Sequence, residues 1–431
     1  MKTTIAFFRR GAAALCALLF LAAAFCLRIN ASAADGAAPD TAGDSAASLV
    51  SDRDASGEYD ASAAVTLAPG DDLTISEAGI YILSGSYENQ MLTVQAGDED
   101  KVQIVLNNAQ IANADGPAIL VRSADKVFLT AAAGSENSIS DGSGYTLNEG
   151  DTAVDAAVFS KADLTVNGSG SLSITGNTKH AVVSKDDLVV TAKNLIVSSA
   201  ASALTGKDAV TLLDASVSIQ AGTDGIHSEG TVTVLGGSMT AQCGDDAVHA
   251  DGKADIAGGT VTLNAAEGIE ATYVLIRSGD ISIQASDDGI NAAYKSDAYT
   301  PTVEITGGNL TVTMGAGDTD GIDSNGNLII SGGTVSVTGS SAFDFDGSVS
   351  FTGGTVYVNG QQVTELSSQF MGGRGGMGGM GGMGGQGGHG SFGTPPDMSG
   401  DIPAGFGGQP PSGFHGPHGG QGGPGSFGEA S

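Results

Sequence analysis

From about Val65 to Leu366 the chain alternates apolar and polar residues in short runs, and the runs recur. In GTVTVLGGSMTAQ (230–242), Val232 and Val234 share one parity, as do Met239 and Ala241. In GNLIISGGTVSVTG (326–339) the same slots hold Leu328, Ile330, Val335 and Val337. Strand side chains alternate between two faces, so these residues point into one core. A glycine pair separates the two runs, as at Gly236-Gly237, Gly258-Gly259, Gly307-Gly308, Gly332-Gly333 and Gly353-Gly354. Glycine suits a corner where φ is positive or backbones approach closely. A third short run opens each repeat, as in GTDGIHSE (222–229) and GDDAVHAD (244–251). Its parity turns Ile226 and Ser228 inward and His227 and Glu229 outward.

Aligning on the apolar residue of that phrase gives Ile226, Val248, Ile269, Ile290, Ile322 and Phe343, with steps of 22, 21, 21, 32 and 21. The long step holds an insertion around YKSDAYTP (294–301). Fainter copies lie at Leu204, Val182, Val158 and Ile119, and the segment 141–155 between the last two reads as a projecting loop. A period of 21–24 residues with three strands and three corners predicts an all-β solenoid, a single-stranded right-handed parallel β-helix. The L-x-x-L-x-L spacing of leucine-rich repeats is absent.

The ends read differently. Lys2, Arg9 and Arg10 precede an apolar run from Gly11 to Leu27, and Ala31-Ser32-Ala33 follows. This is the layout of a signal peptide spanning 1–33, which predicts a secreted or cell-surface protein with no membrane span in its mature form. Residues 34–64 are Ala-, Ser- and Asp-rich and read as a flexible linker. Residues 65–370 form the β-helix, and 371–431 form a Gly/Met/Pro-rich tail that composition predicts to be disordered. Cleavage leaves Cys243 alone, so no internal disulfide staples the domain, and a monomer is expected.

Cleavage also removes four of the 17 basic residues, and the 13 that remain face 48 acidic ones for a net charge of −35. Such a surface excludes nucleic acid and anionic membrane as partners and favours cations. The repeat gathers much of the acid into ladders about 4.8 Å per rung. One ladder is Asp224, Asp246, Glu267, Asp288 and Asp320. A second is His227, His249, Glu270, Asn291, Asp323 and Asp344. A third is Glu229, Asp251, Tyr273, Tyr294, Asn325 and Asp346. Stacked like charges raise one another's pKa or require a counter-ion. Calcium takes oxygen ligands and fits between carboxylates on adjacent rungs. The candidate ligands are Asp224, Asp245, Asp246, Glu267, Glu270, Asp287, Asp288, Asn291, Asp318, Asp320, Asp323, Asp344 and Asp346. The plainer reading makes each Asp an ordinary turn residue followed by a conformational glycine. His227 and His249 with Asp224 and Asp246 form either a zinc pair or a surface histidine ladder. Tyr273, Tyr294 and Tyr299 offer aromatic faces for sugar rings. No P-loop, HExxH, GxSxG or CxxC motif is present.

With GTDGIHSEG, GDDAVHADG, SDDGINAAYKSD and GDTDGIDSNGNLIISGGTVSVTG in view, residues 65–370 resemble a secreted bacterial family of carbohydrate-binding-domain proteins. The resemblance implies a right-handed parallel β-helix carrying calcium, similar in shape to pectate lyases. It also implies binding of cellulose or pectic acid without established catalysis. It places calcium most directly at Asp287–Asp288–Asn291 and Asp318–Asp320–Asp323. Three readings of function follow: calcium-dependent polysaccharide binding, a calcium-dependent polysaccharide lyase, and a structural surface adhesin. The lyase needs a basic side chain beside the metal, and Lys253 and Lys295 are its candidates.

Overall fold

The structure is a computed structural model, and it describes residues 49–368 except 71–72, 147–150, 152 and 317–318. The signal segment, residues 34–48 of the linker, the tail and Asp318 therefore lie outside the described residues.

The chain winds as a parallel β-solenoid of about 12 turns. Each full turn lays one strand on each of three faces. Face one stacks Val210, Val232, Ala254, Val274, Val303 and Leu328 in register. Face two stacks Val217, Met239, Val261, Ile281, Leu310 and Val335. Face three pairs every aligned residue of the repeat, from Ile119 through Val158, Val182, Leu204, Ile226, Val248, Ile269, Ile290 and Ile322 to Phe343. The inward residues of all three faces form one continuous core from Leu73 to Val356. Each fully buried Val, Leu or Ile there contributes roughly 1.5–3 kcal/mol. Each turn packs only on its neighbours, so stability accumulates turn by turn. At the C-terminal end Gln361–Val363 folds back antiparallel on Thr355–Val358 and covers an otherwise open edge.

Two kinds of glycine serve the repeat. The second member of each corner pair has positive φ: 82° at Gly237, 94° at Gly259, 81° at Gly308, 78° at Gly333 and 82° at Gly354. The glycine inside the opening phrase is there for space rather than for φ. A Cβ on Gly289 would stand 2.3 Å from Val312 Cγ1, and one on Gly321 would stand 2.2 Å from Val337 Cγ1. Face two presses on face three at this point, and upstream turns fill it with the smallest side chain, as at Ala157, Ala181 and Ala203.

Two expectations change. Part of the segment read as a flexible linker is docked. Asp52–Ser56 forms a helix with a Ser51 capping box, and Asp54 is buried. Lys126 Nζ lies 2.9 Å from Asp54 Oδ1. Thr191 Oγ1 and Asn167 Nδ2 donate to the Asp54 carbonyl at 2.6 and 3.1 Å. Composition missed this because side chains of distant turns hold the helix, not its own periodicity. The segment 141–155 does not simply project. Its Val154 packs on Leu120, Phe159 and Val183, with Tyr145 against them, and covers the outside of face three in the early turns.

Candidate functional site

The outward column of face three changes character along the axis. Thr93, Leu120, Phe159, Val183 and Thr205 come first in register. His227, His249, Glu270, Asn291, Asp323 and Asp344 follow. The apolar half is the part that Val154 covers, and the polar half is the second predicted ladder, rung for rung. Three residues earlier runs the first ladder, with Asp246 paired to Glu267.

The histidine rungs carry their own counter-charge. The His227 and His249 rings stack at 4.7 Å and 6° between planes. His227 Nδ1 donates to Asp224 Oδ2 at 2.9 Å, and Ser202 Oγ donates to the same oxygen at 3.2 Å. His249 Nδ1 lies 2.7 Å from Asp246 Oδ2 and 2.8 Å from Glu270 Oε2, while Nε2 lies 3.2 Å from Asp251 Oδ1. Face-to-face rings whose nitrogens turn to separate aspartates do not converge on one ion, so the zinc-pair arrangement is not formed. In this column Asp246, His249 and Glu270 bring donor atoms within 4.8 Å of one another. Lys295, from the inserted loop, adds a second cation 2.7 Å from Glu270 Oε1. Burial would lower the His249 pKa, but its bonds to Asp246 and Glu270 and their charges outweigh that and raise it. Burial likewise opposes ionisation of Glu270, and His249 and Lys295 reverse it, leaving this carboxyl below its usual range.

Beyond Glu270 the acids lose such partners. Burial and the charges of Glu270 and Asp246 push Glu267 to about 8, although Asn291 Nδ2 donates to it at 3.1 Å. Burial, then Asp287, Asp320 and Glu270, push Asp288 to about 6, against a hydrogen bond from the Asp320 amide at 3.1 Å. Burial, then Asp288, Asp344 and Asp320, push Asp323 to about 7. No Lys, Arg or His forms an ion pair with Asp288, Asp323 or Asp344 among the described residues. Ser341 Oγ donates to Asp320, and Ser368 Oγ donates to Asp344 Oδ1 at 2.5 Å. Asn291 Oδ1, between these carboxylates in register, is buried without a hydrogen-bond partner. An orphaned amide oxygen beside oxygen-rich rungs is a donor set suited to a hard cation such as calcium. Asp245, Asp287 and Asp346 are exposed at the rim.

The third predicted ladder does not form. Ala250 pairs with Ala271, but Lys253 then pairs with Tyr273, a register shift at the corner. Tyr273 therefore belongs to face one, beside Thr302, and its hydroxyl donates to Glu304. Tyr299 returns from the inserted loop to lie 5.8 Å from Tyr273, while Tyr294 stands apart and is 71% exposed. Lys253 also belongs to face one, 2.8 Å from Asp255, which Arg277 holds as well. Sequence reasoning missed Lys295 as a counter-ion to Glu270, because the loop's return path leaves no periodic signal. It also missed a second acidic group, Asp163, Asp186 and Asp187, in the early turns.

Against known proteins, a family model described as carbohydrate-binding domain-containing protein matches residues 69–272 and 267–362. A carbohydrate-binding domain-containing protein of Acetivibrio thermocellus is 28% identical over 129 residues, 30% of this chain and 45% of the relative. The match thus spans less than half of that relative's length. Among solved structures, a polysaccharide lyase-like protein from C. thermocellum, studied as a gadolinium derivative, aligns with a TM-score of 0.33 and 21% identity. The alignment covers 69% of this chain and 95% of that one. No helix among the described residues is long and apolar enough to cross a membrane.

Proposed function

The chain belongs to the carbohydrate-binding domain-containing protein family, and from that premise we propose that it binds an acidic polysaccharide through calcium on face three, without cleaving it. One observation carries the reading. Asp288, Asp323 and Asp344 stack in successive turns without an ion-pair partner among the described residues, beside Asp320 and around Asn291 Oδ1, which has no hydrogen-bond partner there. Those five side chains, with Glu267, would hold the ion. Bound calcium would supply charge neutralisation and open coordination positions for a carboxylate from outside. The His227 and His249 rungs would stay metal-free, because the histidines already neutralise their aspartates. An anionic, pectic-acid-like glycan fits such a cation-bridged surface on an acidic protein. Tyr299, tilted on Tyr273 at the flank of the same turns, offers a ring to the sugar. Export, as the N-terminal pattern suggests, would put the protein where calcium is abundant enough for weak sites.

A lyase is the second reading, and the position of Lys295 beside the acids favours it. A base must shed its proton, however, and Glu270 raises the pKa of Lys295 over the lowering effect of burial. Lys253 is committed to Asp255 on another face. The test is retention of the full chain on polygalacturonate gel, with calcium and with chelator, while ultraviolet absorbance follows unsaturated uronide. Chelator-sensitive retention without product supports calcium-bridged binding. Product that disappears on Lys295→Ala makes the protein a lyase, and a melting point raised by calcium with no retention on any glycan makes it an adhesin or spacer.

A further inference from the structure

The outside of face two carries a surface that the acidic column does not explain. Its middle outward row runs from Ser86 to Tyr357 in unbroken register, one residue in each of twelve turns, and none of them is charged. Ser, Thr and Gln fill most of the row, and Ile196 stands within it, 47% exposed. Along the flanking rows the charged residues are Glu88, Glu136 and Asp280. The side-chain hydrogen bonds of this face lie in those flanking rows, as from Ser238 to Ser216 and from Ser198 to Thr175. The middle-row side chains make none among the described residues.

A chain of net charge −31 repels its own copies. Face three turns its acidic column outward, and face one carries Lys253, Asp255 and Arg277 as well as the docked helix. Face two is the long side on which two copies can meet with their charges held apart. Hydroxyl and amide groups donate and accept at once, so a surface built of them complements its own copy, as a two-fold interface requires. Neutral polar groups also cost less to desolvate than charged ones. Eleven rung spacings of about 4.8 Å make the face about 53 Å long, and three rows about 6.6 Å apart make it about 15 Å wide. That is about 800 Å² per copy, the size of a standard interface between stable partners.

We infer that the outer side of face two is an interface between two copies of this chain, packed antiparallel about a two-fold axis that passes between Ser218 and Thr240. That axis overlaps the rows along their whole length. It sets Glu136 of each copy opposite Asn309 of the other, and Asp280 opposite Ser171, so no two acids face each other. It also covers Ile196, which then lies against the Thr262 methyl of the other copy. The pairing does not depend on the glycan reading, because the face-three column stays outside the contact in both copies. Cys243, the one free cysteine among the described residues, limits covalent pairing only.

The test is sedimentation velocity of the full chain across a concentration series, in calcium and in chelator, at low and at high salt. The expected result is a monomer–dimer equilibrium with a Kd on the order of micromolar, unchanged by chelator. Salt should strengthen it by screening the repulsion between like-charged copies. Ile196→Glu should weaken it at least about tenfold, and Glu229→Gln, on the face-three corner, should leave it unchanged. A second measurement stands if Ile196→Glu folds poorly. Packed sheets lie about 10 Å apart, so a short bismaleimide should link Ser218→Cys, near the axis, into a dimer. Ser86→Cys, at the end of the row, should stay monomeric, both variants being made in a Cys243→Ser background. A monomer at every concentration, a dimer equally strong in a folded Ile196→Glu, or equal cross-linking of the two cysteine variants overturns the inference. A dimer that dissociates in chelator assigns the association to cations between acidic columns and overturns it as well.

Discussion

In chelator, the protein should lose stability as pH rises from about 5 to about 8. The cause is the carboxyls of face three. Asp288 titrates near 6 and Asp323 near 7 in the folded chain, against 3.8 for an ordinary aspartate. Glu267 titrates near 8 against 4.5. A carboxyl with a raised folded pKa keeps its proton in the native state after the unfolded chain has released it. Between the two values the native state binds more protons, so stability falls with rising pH and flattens above the folded value. Moving one aspartate from 3.8 to about 7 corresponds to roughly 4 kcal/mol. Partial solvent screening and mutual relief reduce this, because protonating one rung relaxes the next. A net loss of about 3–5 kcal/mol for the column is the reasonable scale, or about 5–10 °C in Tm for a chain of this size. His249 acts in the same sense above 6.5, since its raised pKa gives stability that fades toward its folded value. His180 opposes below 6.5, because burial lowers its pKa. The assay is a thermal melt at half-unit pH steps in chelator and in millimolar calcium. Calcium should flatten the slope by replacing the protons. A chelated Tm that is flat or rises across this window would refute the stacked-carboxylate argument.

Other substitutions test separate parts of the structure. Asp323→Asn should raise the chelated Tm at pH 8 and shrink the gain from calcium, read in paired melts. Gly289→Ala drives a Cβ into Val312 Cγ1 and the Gly321 carbonyl, and should cost about 1–3 kcal/mol by urea unfolding. Asp54→Ala leaves Lys126 without its buried partner and should destabilise by about 1–3 kcal/mol. It should also increase amide exchange over residues 52–57. Ile290→Ala removes a fully buried side chain between Ile269 and Ile322 and should cost about 2–5 kcal/mol by the same urea measurement.

The period was legible because one slot per turn must be apolar, and ten such slots from Ile119 to Phe343 pair in register. The second ladder was legible for the same reason, since its residues sit one position after that slot. The third ladder failed because it sits three or four positions after, across a corner where one turn is a residue shorter. Counting cannot see a corner shorten, and Tyr273 moved to another face. The early outward column, Leu120, Phe159 and Val183, read as ordinary strand residues, since nothing local shows that Val154 returns to cover them. The docked helix was hidden for a related reason. Five residues, four of them polar, carry no periodic signal, and Lys126, Asn167 and Thr191, which fix Asp54, lie far along the chain.

The most direct measurement is a calorimetric calcium titration of the chelated full chain at pH 7, repeated in two buffers of different ionisation enthalpy. The account predicts saturable binding with proton release, because Glu267 and Asp323 hold protons that calcium must displace. It also predicts that Asp323→Asn weakens both the binding and the release. No binding heat up to several millimolar calcium, or binding untouched by Asp323→Asn, would contradict it.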